Sequence, residues 1–246
     1  MKTNHDIYSE VETAWGINQT APLNLYEQYL IDKYAVDTED KVIEAGCGGG
    51  RIALYVEKKG FQRINAFDYC KEFIDIACKQ QSNIDFKVAD ATDLIGYQDE
   101  EFDILIYLQR IVSFIPIEKI PNAIEEAYRI CKANGRLIIS FLHYDGRKRN
   151  RIMGNLLSMI RWIRGEKQKK QQLPWLKLGG KPNWKFLSKG QATNYWFQKD
   201  EIEDLLNHVG FVIDEMFSSD ATLDEETKTM HETKCKGTVL YYVCHK

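Results

Sequence analysis

Between Val42 and Arg51 the chain reads VIEAGCGGGR, a short apolar run, an acid, and four glycines within five positions. Glycines so clustered let the backbone turn left-handed and let a ligand lie close to the main chain. The helix-like run Ile52 to Lys58 follows, so its first amides could receive an anionic group. Two ligand classes compete for such a turn. A dinucleotide pyrophosphate wants a third small residue three positions beyond the second glycine. Counted from Gly46 and Gly48 that position is Arg51; counted from Gly48 it is Ala53, so a partial match survives. Glu44 points the other way. A carboxylate ahead of the turn repels a pyrophosphate but suits an ammonium or sulfonium charge. A zwitterionic amino acid offers that cation together with a carboxylate for the helix amides.

The elements that must hold this turn follow from the hydropathy pattern. Val42–Ala45 reads as a strand, Arg51–Lys58 as a helix closed by Gly60, and Arg63–Phe67 as a second strand ending at Asp68. Lys71–Lys79 reads as a helix, Ile84–Val88 as a third strand, Phe102–Tyr107 as a fourth, and Ile120–Cys131 as a helix. Asn134-Gly135 then turns into a fifth strand, Arg136–Phe141. Such alternation predicts an α/β fold, a parallel sheet with helices on both faces and its ligand edge at the strand C-termini. Lys199–His208 reads as a helix capped by Gly210, and Phe211–Phe217 and Thr238–Cys244 as an antiparallel C-terminal hairpin, joined by an irregular acidic connector. One domain is expected, divided into an N-terminal cap (1–37), a cofactor-binding core (38–141), a basic helical or irregular lid insertion (142–195) and the C-terminal helix and hairpin (196–246).

On these residues the sequence resembles the class I (Rossmann-like) S-adenosylmethionine-dependent methyltransferases, well over about 38–145 and loosely over 196–245. Glu44, Gly46, Cys47, Gly48 and Gly50 fit that family's E/D-x-G-x-G-x-G motif. The resemblance implies a seven-stranded, mostly parallel sheet and S-adenosylmethionine as cofactor. It also implies that Asp68 takes the ribose hydroxyls, Tyr69 packs on adenine, and Asp90 with Ala91 receives the adenine amino group. Gly46, Asp68 and Asp90 stand 22 residues apart in turn. The fourth-strand end, Leu108 and Gln109 with Arg110, would face the methyl group, and Arg51 could reach the methionine carboxylate. The implied reaction is an in-line methyl displacement, for which His143 and Tyr107 are candidate bases and Asp145 a weaker one. A nucleotide-binding module that is not a methyltransferase, or a non-catalytic scaffold, would use the same turn.

The charge is unevenly spread. Net charge is −3, yet Leu142–Gly190 holds thirteen lysines and arginines against Asp145 and Glu166. Within it Ile152, Leu156, Met159, Ile160 and Ile163 recur at helical spacing among Arg151 and Arg161, a basic amphipathic pattern. Trp162, Trp175, Trp184 and Phe186 add apolar surface. The expected acceptor is a small molecule, or one linked to a carrier or lipid, with peripheral membrane contact conceivable through 147–170. Transfer RNA is the second choice, because basic surface suits phosphates. Tyr8 and Trp15-Gly16 are expected to close over the cofactor from the other side. Six cysteines lack metal-type or paired spacing, which predicts no metal site and reduced thiols. Met1–Ser9 lacks a signal-peptide core. Both point to a cytoplasmic chain.

Overall fold

A computed structural model describes residues 22–147, 159–165, 170–174, 177–178, 181–182, 193–224, 226–231 and 234–246. The expected contacts of Tyr8, Trp15 and Gly16, the stripe residues Ile152 and Leu156, and Trp175, Trp184 and Phe186 lie outside them.

Seven strands form the main sheet: β1 (Lys41–Ala45), β2 (Arg63–Asp68), β3 (Asp85–Val88), β4 (Phe102–Tyr107), β5 (Cys131–Leu142), β6 (Val212–Ser218) and β7 (Val239–His245). Their order is β6-β7-β5-β4-β1-β2-β3. The pairs β1–β2, β1–β4, β2–β3 and β4–β5 are parallel, and β7 runs antiparallel to both β5 and β6. Helices α1 (Leu25–Tyr34), α2 (Arg51–Lys58) and α3 (Lys71–Ala77) lie toward one face, and α4 (Ile120–Ile130) and α5 (Lys199–Val209) toward the other. Two apolar cores result. Strand alternation divides them, so that Ile106 and Tyr107, adjacent in β4, are both fully buried in different cores.

Three features depart from the sequence reading. α1 was hidden within the N-terminal cap; its start is a capping box in which the Asn24 side chain takes the Glu27 amide and Glu27 takes the Asn24 amide. β5 starts at Cys131, five residues early, because Asn134 (φ 64°) and Gly135 form an irregularity inside the strand rather than a turn ahead of it. The acidic connector is partly ordered, with Thr222–Asp224 pairing antiparallel to Thr229–His231. After β5 the described residues hold short antiparallel ladders, Gln172–Pro174 with Thr193–Tyr195 and Lys177–Leu178 with Lys181–Pro182, and a helical stretch at 159–163.

Candidate functional site

β1 delivers the chain into the glycine turn, where Gly46, Gly48 and Gly50 have φ of +65°, +53° and +89°. Non-glycine residues are strained there. A Cβ on Gly46 would overlap the Ile111 side chain, and one on Gly50 would lie 2.8 Å from Phe86 Cζ. One on Gly48 would meet nothing within 4 Å. Packing therefore requires the outer two, while the middle one leaves bare main chain open for a ligand. The Cys47 amide donates to the Phe67 carbonyl at 3.0 Å, tying the turn to β2. Burial pushes the Cys47 thiol well above its usual range, which disqualifies it as a nucleophile.

Glu44 is buried under the turn, and its carboxyl accepts from the Ala53 amide in the first turn of α2 at 2.8 Å. Burial raises its pKa from 4.5 to about 8, against the opposing pull of the Ala53 amide and Arg51. The neutral form is thus favoured near pH 7, which leaves Glu44 less charge to select a cation than its sequence position suggests. Its visible work is to brace the turn against α2. The raised pKa has a consequence for stability. An acid that holds its proton more tightly when folded stabilises fully below its unfolded pKa, and that stabilisation is lost as pH rises toward the folded value. Urea unfolding of the ligand-free chain should show stability falling between pH 5 and about 8 and level beyond. Glu44→Gln, which keeps an oxygen for Ala53, should flatten that slope; parallel pH curves for the two proteins would refute it.

At the end of β2, Asp68 Oδ2 accepts from the Gly48 amide at 2.8 Å and Oδ1 from the Cys70 amide at 2.9 Å. One carboxylate thus fixes the open part of the glycine turn and the start of α3. Burial raises its pKa, while the amides of Cys70, Gly48 and Tyr69 favour the ion. Tyr69 beside it is 56% exposed, at the same strand edge. After β3, Asp90 Oδ1 accepts from both the amide and hydroxyl of Thr92 at 2.9 Å, with Ala91 buried behind. Asp68, Tyr69 and Asp90 therefore share the strand edge that carries the turn.

The β4 exit completes the site. Leu108 is buried, and Gln109 and Arg110 both have φ of +61°, two consecutive non-glycine residues in the left-handed region. Such strain persists only where surrounding contacts enforce it. Here the Arg110 amide donates to Ser140 Oγ at 2.9 Å and the Gln109 side-chain amide donates to Glu27. Glu27 also accepts from Arg51 Nη2 at 2.9 Å. Arg51, expected to be available to a carboxylate, is thereby paired, and its Nη1 donates to the Pro22 carbonyl. Glu27 was not singled out in the sequence, although Asn24-x-x-Glu27 has capping-box spacing and could have revealed both the helix and the acid.

The two candidate bases separate. His143 follows β5 and is buried, with Nδ1 2.9 Å from the Gly237 carbonyl. Tyr107 is wholly buried in the α4-side core, edge-on to Phe67, and its hydroxyl has no hydrogen-bond partner among the described residues. Burial pushes its phenol far up. Tyr107 is a core residue rather than a base. Asp145 is exposed on the turn past His143.

Comparison with known proteins agrees with this geometry. Residues 43–139 match the family described as the methyltransferase domain. An uncharacterised methyltransferase of Schizosaccharomyces pombe is 29% identical over 112 residues, 46% of this chain and 43% of that protein. A demethylmenaquinone methyltransferase of Leptospira interrogans is 28% identical over 130 residues, 50% of this chain and 47% of that protein. The chain spans about half the length of the curated relatives it matches. Among solved structures, an S-adenosylmethionine-dependent methyltransferase of Methanosarcina mazei superposes with a TM-score of 0.62 at 18% identity, covering 88% of this chain and 96% of that one. Residues 43–139 thus match a methyltransferase domain, and the sheet order with its reversed seventh strand is the fold of the S-adenosylmethionine-dependent methyltransferase on which the chain superposes.

Proposed function

We propose that the chain transfers a methyl group from S-adenosylmethionine to an oxygen or nitrogen of a small-molecule acceptor, free or linked to a carrier or lipid. The observation that carries this reading is Asp68. Its carboxylate is bonded to the amide of Gly48, a glycine of the turn with nothing within 4 Å of where a side chain would start. An amino-acid-bearing nucleoside fits there, with Asp68 for the ribose, Tyr69 and Asp90 for adenine, and the turn and Gln109 for the methionine end. When bound, the sulfonium supplies an already activated methyl group, so the protein's main task is alignment. The strained β4 exit, pinned by Ser140 and Glu27, holds that edge rigid. Support for an organic acceptor rather than nucleic acid comes from 159–163, where Trp162 is 81% exposed and Met159 and Ile163 are also exposed. These side chains offer apolar surface to an acyl or lipid-like part, and the Leptospira relative is named for demethylmenaquinone. No helix among the described residues is long and apolar enough to cross a membrane.

His143 is assigned the proton-accepting role. The Gly237 carbonyl can only accept, so Nδ1 carries the hydrogen and the lone pair sits on Nε2. The test is paired. Calorimetry should show S-adenosylhomocysteine binding to the wild type, to His143→Asn and to Tyr107→Phe alike. In a methyl-transfer screen, any acceptor that must lose a proton should turn over about 100-fold more slowly with His143→Asn. Tyr107→Phe should match the wild type, since it removes only an unpartnered buried hydroxyl. A large loss with Tyr107→Phe at unchanged fold would reverse the assignment. Absence of any S-adenosylhomocysteine binding to folded wild type would remove the proposed activity altogether.

A further inference from the structure

Several of the described arginines are engaged within the chain. Arg51 is held by Glu27, Arg129 by Glu126 and Asp99, and Arg161 donates to the Gln172 carbonyl. Arg136 lies over the Tyr34 ring and Arg147 over Trp196. Arg110 is half-buried, and its guanidinium makes no hydrogen bond or ion pair among the described residues. Its backbone, in contrast, is firmly set. The residue is left-handed, caps the short turn Ile111–Phe114, and has its amide on Ser140 Oγ. A strained, anchored backbone carrying a half-desolvated and unpaired cation is costly unless an anion from outside completes it.

The place of Arg110 in the sheet tells which ligand brings that anion. The glycine turn follows β1, Asp68 ends β2 and Asp90 follows β3, so the donor-binding residues lie on one side of β4. Arg110 is tied to the other side. Ser140 belongs to β5 and is in register with Tyr241 of β7. The Arg110 charge acts on the Tyr241 hydroxyl, and Tyr241 stacks on Tyr26 at 5.3 Å. Glu27, the acid closest in sequence to Tyr26, is already taken by Arg51, Gln109 and the Asn24 amide. It balances Arg51 and leaves the charge of Arg110 over.

We propose that Arg110 anchors a carboxylate of the methyl acceptor. This rests on the methyltransferase reading and narrows its substrate to organic acids. One guanidinium balances one negative charge and presents a planar fork matched to a carboxylate, whereas a phosphate dianion would stay half-neutralised.

The test titrates benzoate, benzamide and inorganic phosphate into the full chain saturated with S-adenosylhomocysteine, by calorimetry or ligand-observed NMR. Benzoate should bind, and benzamide and phosphate at least tenfold more weakly. Arg110→Gln should weaken benzoate at least tenfold, with the melting temperature and S-adenosylhomocysteine affinity unchanged, and Arg110→Lys should recover part of the loss. Equal benzoate binding by wild type and Arg110→Gln, no benzoate binding at all, or preference for phosphate would each overturn the proposal. So would Arg110→Gln weakening S-adenosylhomocysteine but not its decarboxylated analogue, because Arg110 would then hold the donor's own carboxylate. Failure of the wild type to bind S-adenosylhomocysteine is a separate result that strikes the methyltransferase reading. Benzoate titrated into the ligand-free chain would still decide whether Arg110 is an anion site.

Discussion

Asp68→Asn is expected to weaken S-adenosylhomocysteine binding about 100-fold while leaving the chain folded. Asp68 uses one oxygen for the Gly48 amide and the other for the Cys70 amide. Asparagine keeps a single acceptor, and its NH2 must face one of those N–H donors. The remaining lone pairs of the carboxylate are those proposed for the ribose diol. Hydrogen bonds to a charged group contribute about 1.5–3 kcal/mol each. Losing two of the weaker kind gives about 3 kcal/mol, or roughly two orders of magnitude in affinity. Calorimetry with a melting curve as the folding control checks it. An affinity within fivefold of wild type would show that the carboxylate serves only the turn.

Gly46→Ala and Gly48→Ala should fail in opposite ways. Both residues have φ in the left-handed region, which costs an alanine about 1–2 kcal/mol. At Gly46 the new methyl also collides with Ile111, in the turn that follows β4, and overpacking adds about 1–3 kcal/mol. Gly46→Ala should therefore lose about 2–5 kcal/mol in urea unfolding. Gly48→Ala should lose only the backbone share, since its methyl enters open space. That space is the proposed seat of the ligand, so Gly48→Ala should bind S-adenosylhomocysteine at least tenfold more weakly. Wild-type affinity in Gly48→Ala would move the ligand away from this stretch of main chain.

The parallel half of the sheet was legible because its signals are local. Val42–Ala45 and Arg63–Asp68 end at a glycine and an acid, Phe102–Tyr107 is a mostly apolar run, and each formed within a residue of its expected bounds. Boundary errors arose where long-range pairing overrode local chemistry. Asn134-Gly135 reads as a turn by composition, yet Lys246 bonds to both residues and β4 pairs on either side of them, at Cys131 and Arg136, so the dipeptide was absorbed into β5. For the site, residue type and spacing put Glu44, the glycines, Asp68 and Asp90 at the C-terminal edge of the strands, where the structure has them, but not which way each side chain is spent. Glu44 braces a helix, Arg51 is neutralised by Glu27, and Tyr107 falls on the wrong face of β4 for chemistry. Whether a strand residue points to one face or the other turns on a single step of register, and the run FDILIY is apolar on both sides.

The antiparallel strand has a bearing on how the chain is made. β7 is the last strand synthesised, yet it lies inside the sheet between β5 and β6. The stretch Arg136–Leu142 of β5, which β7 covers, therefore stays a bare, largely apolar border until residues 239–245 emerge. Chains fold from the N-terminus as they appear, so β1 to β5 can assemble while β6 has nothing to join. During that interval the unpaired side of β5 is an open strand edge of the kind that recruits wrong partners.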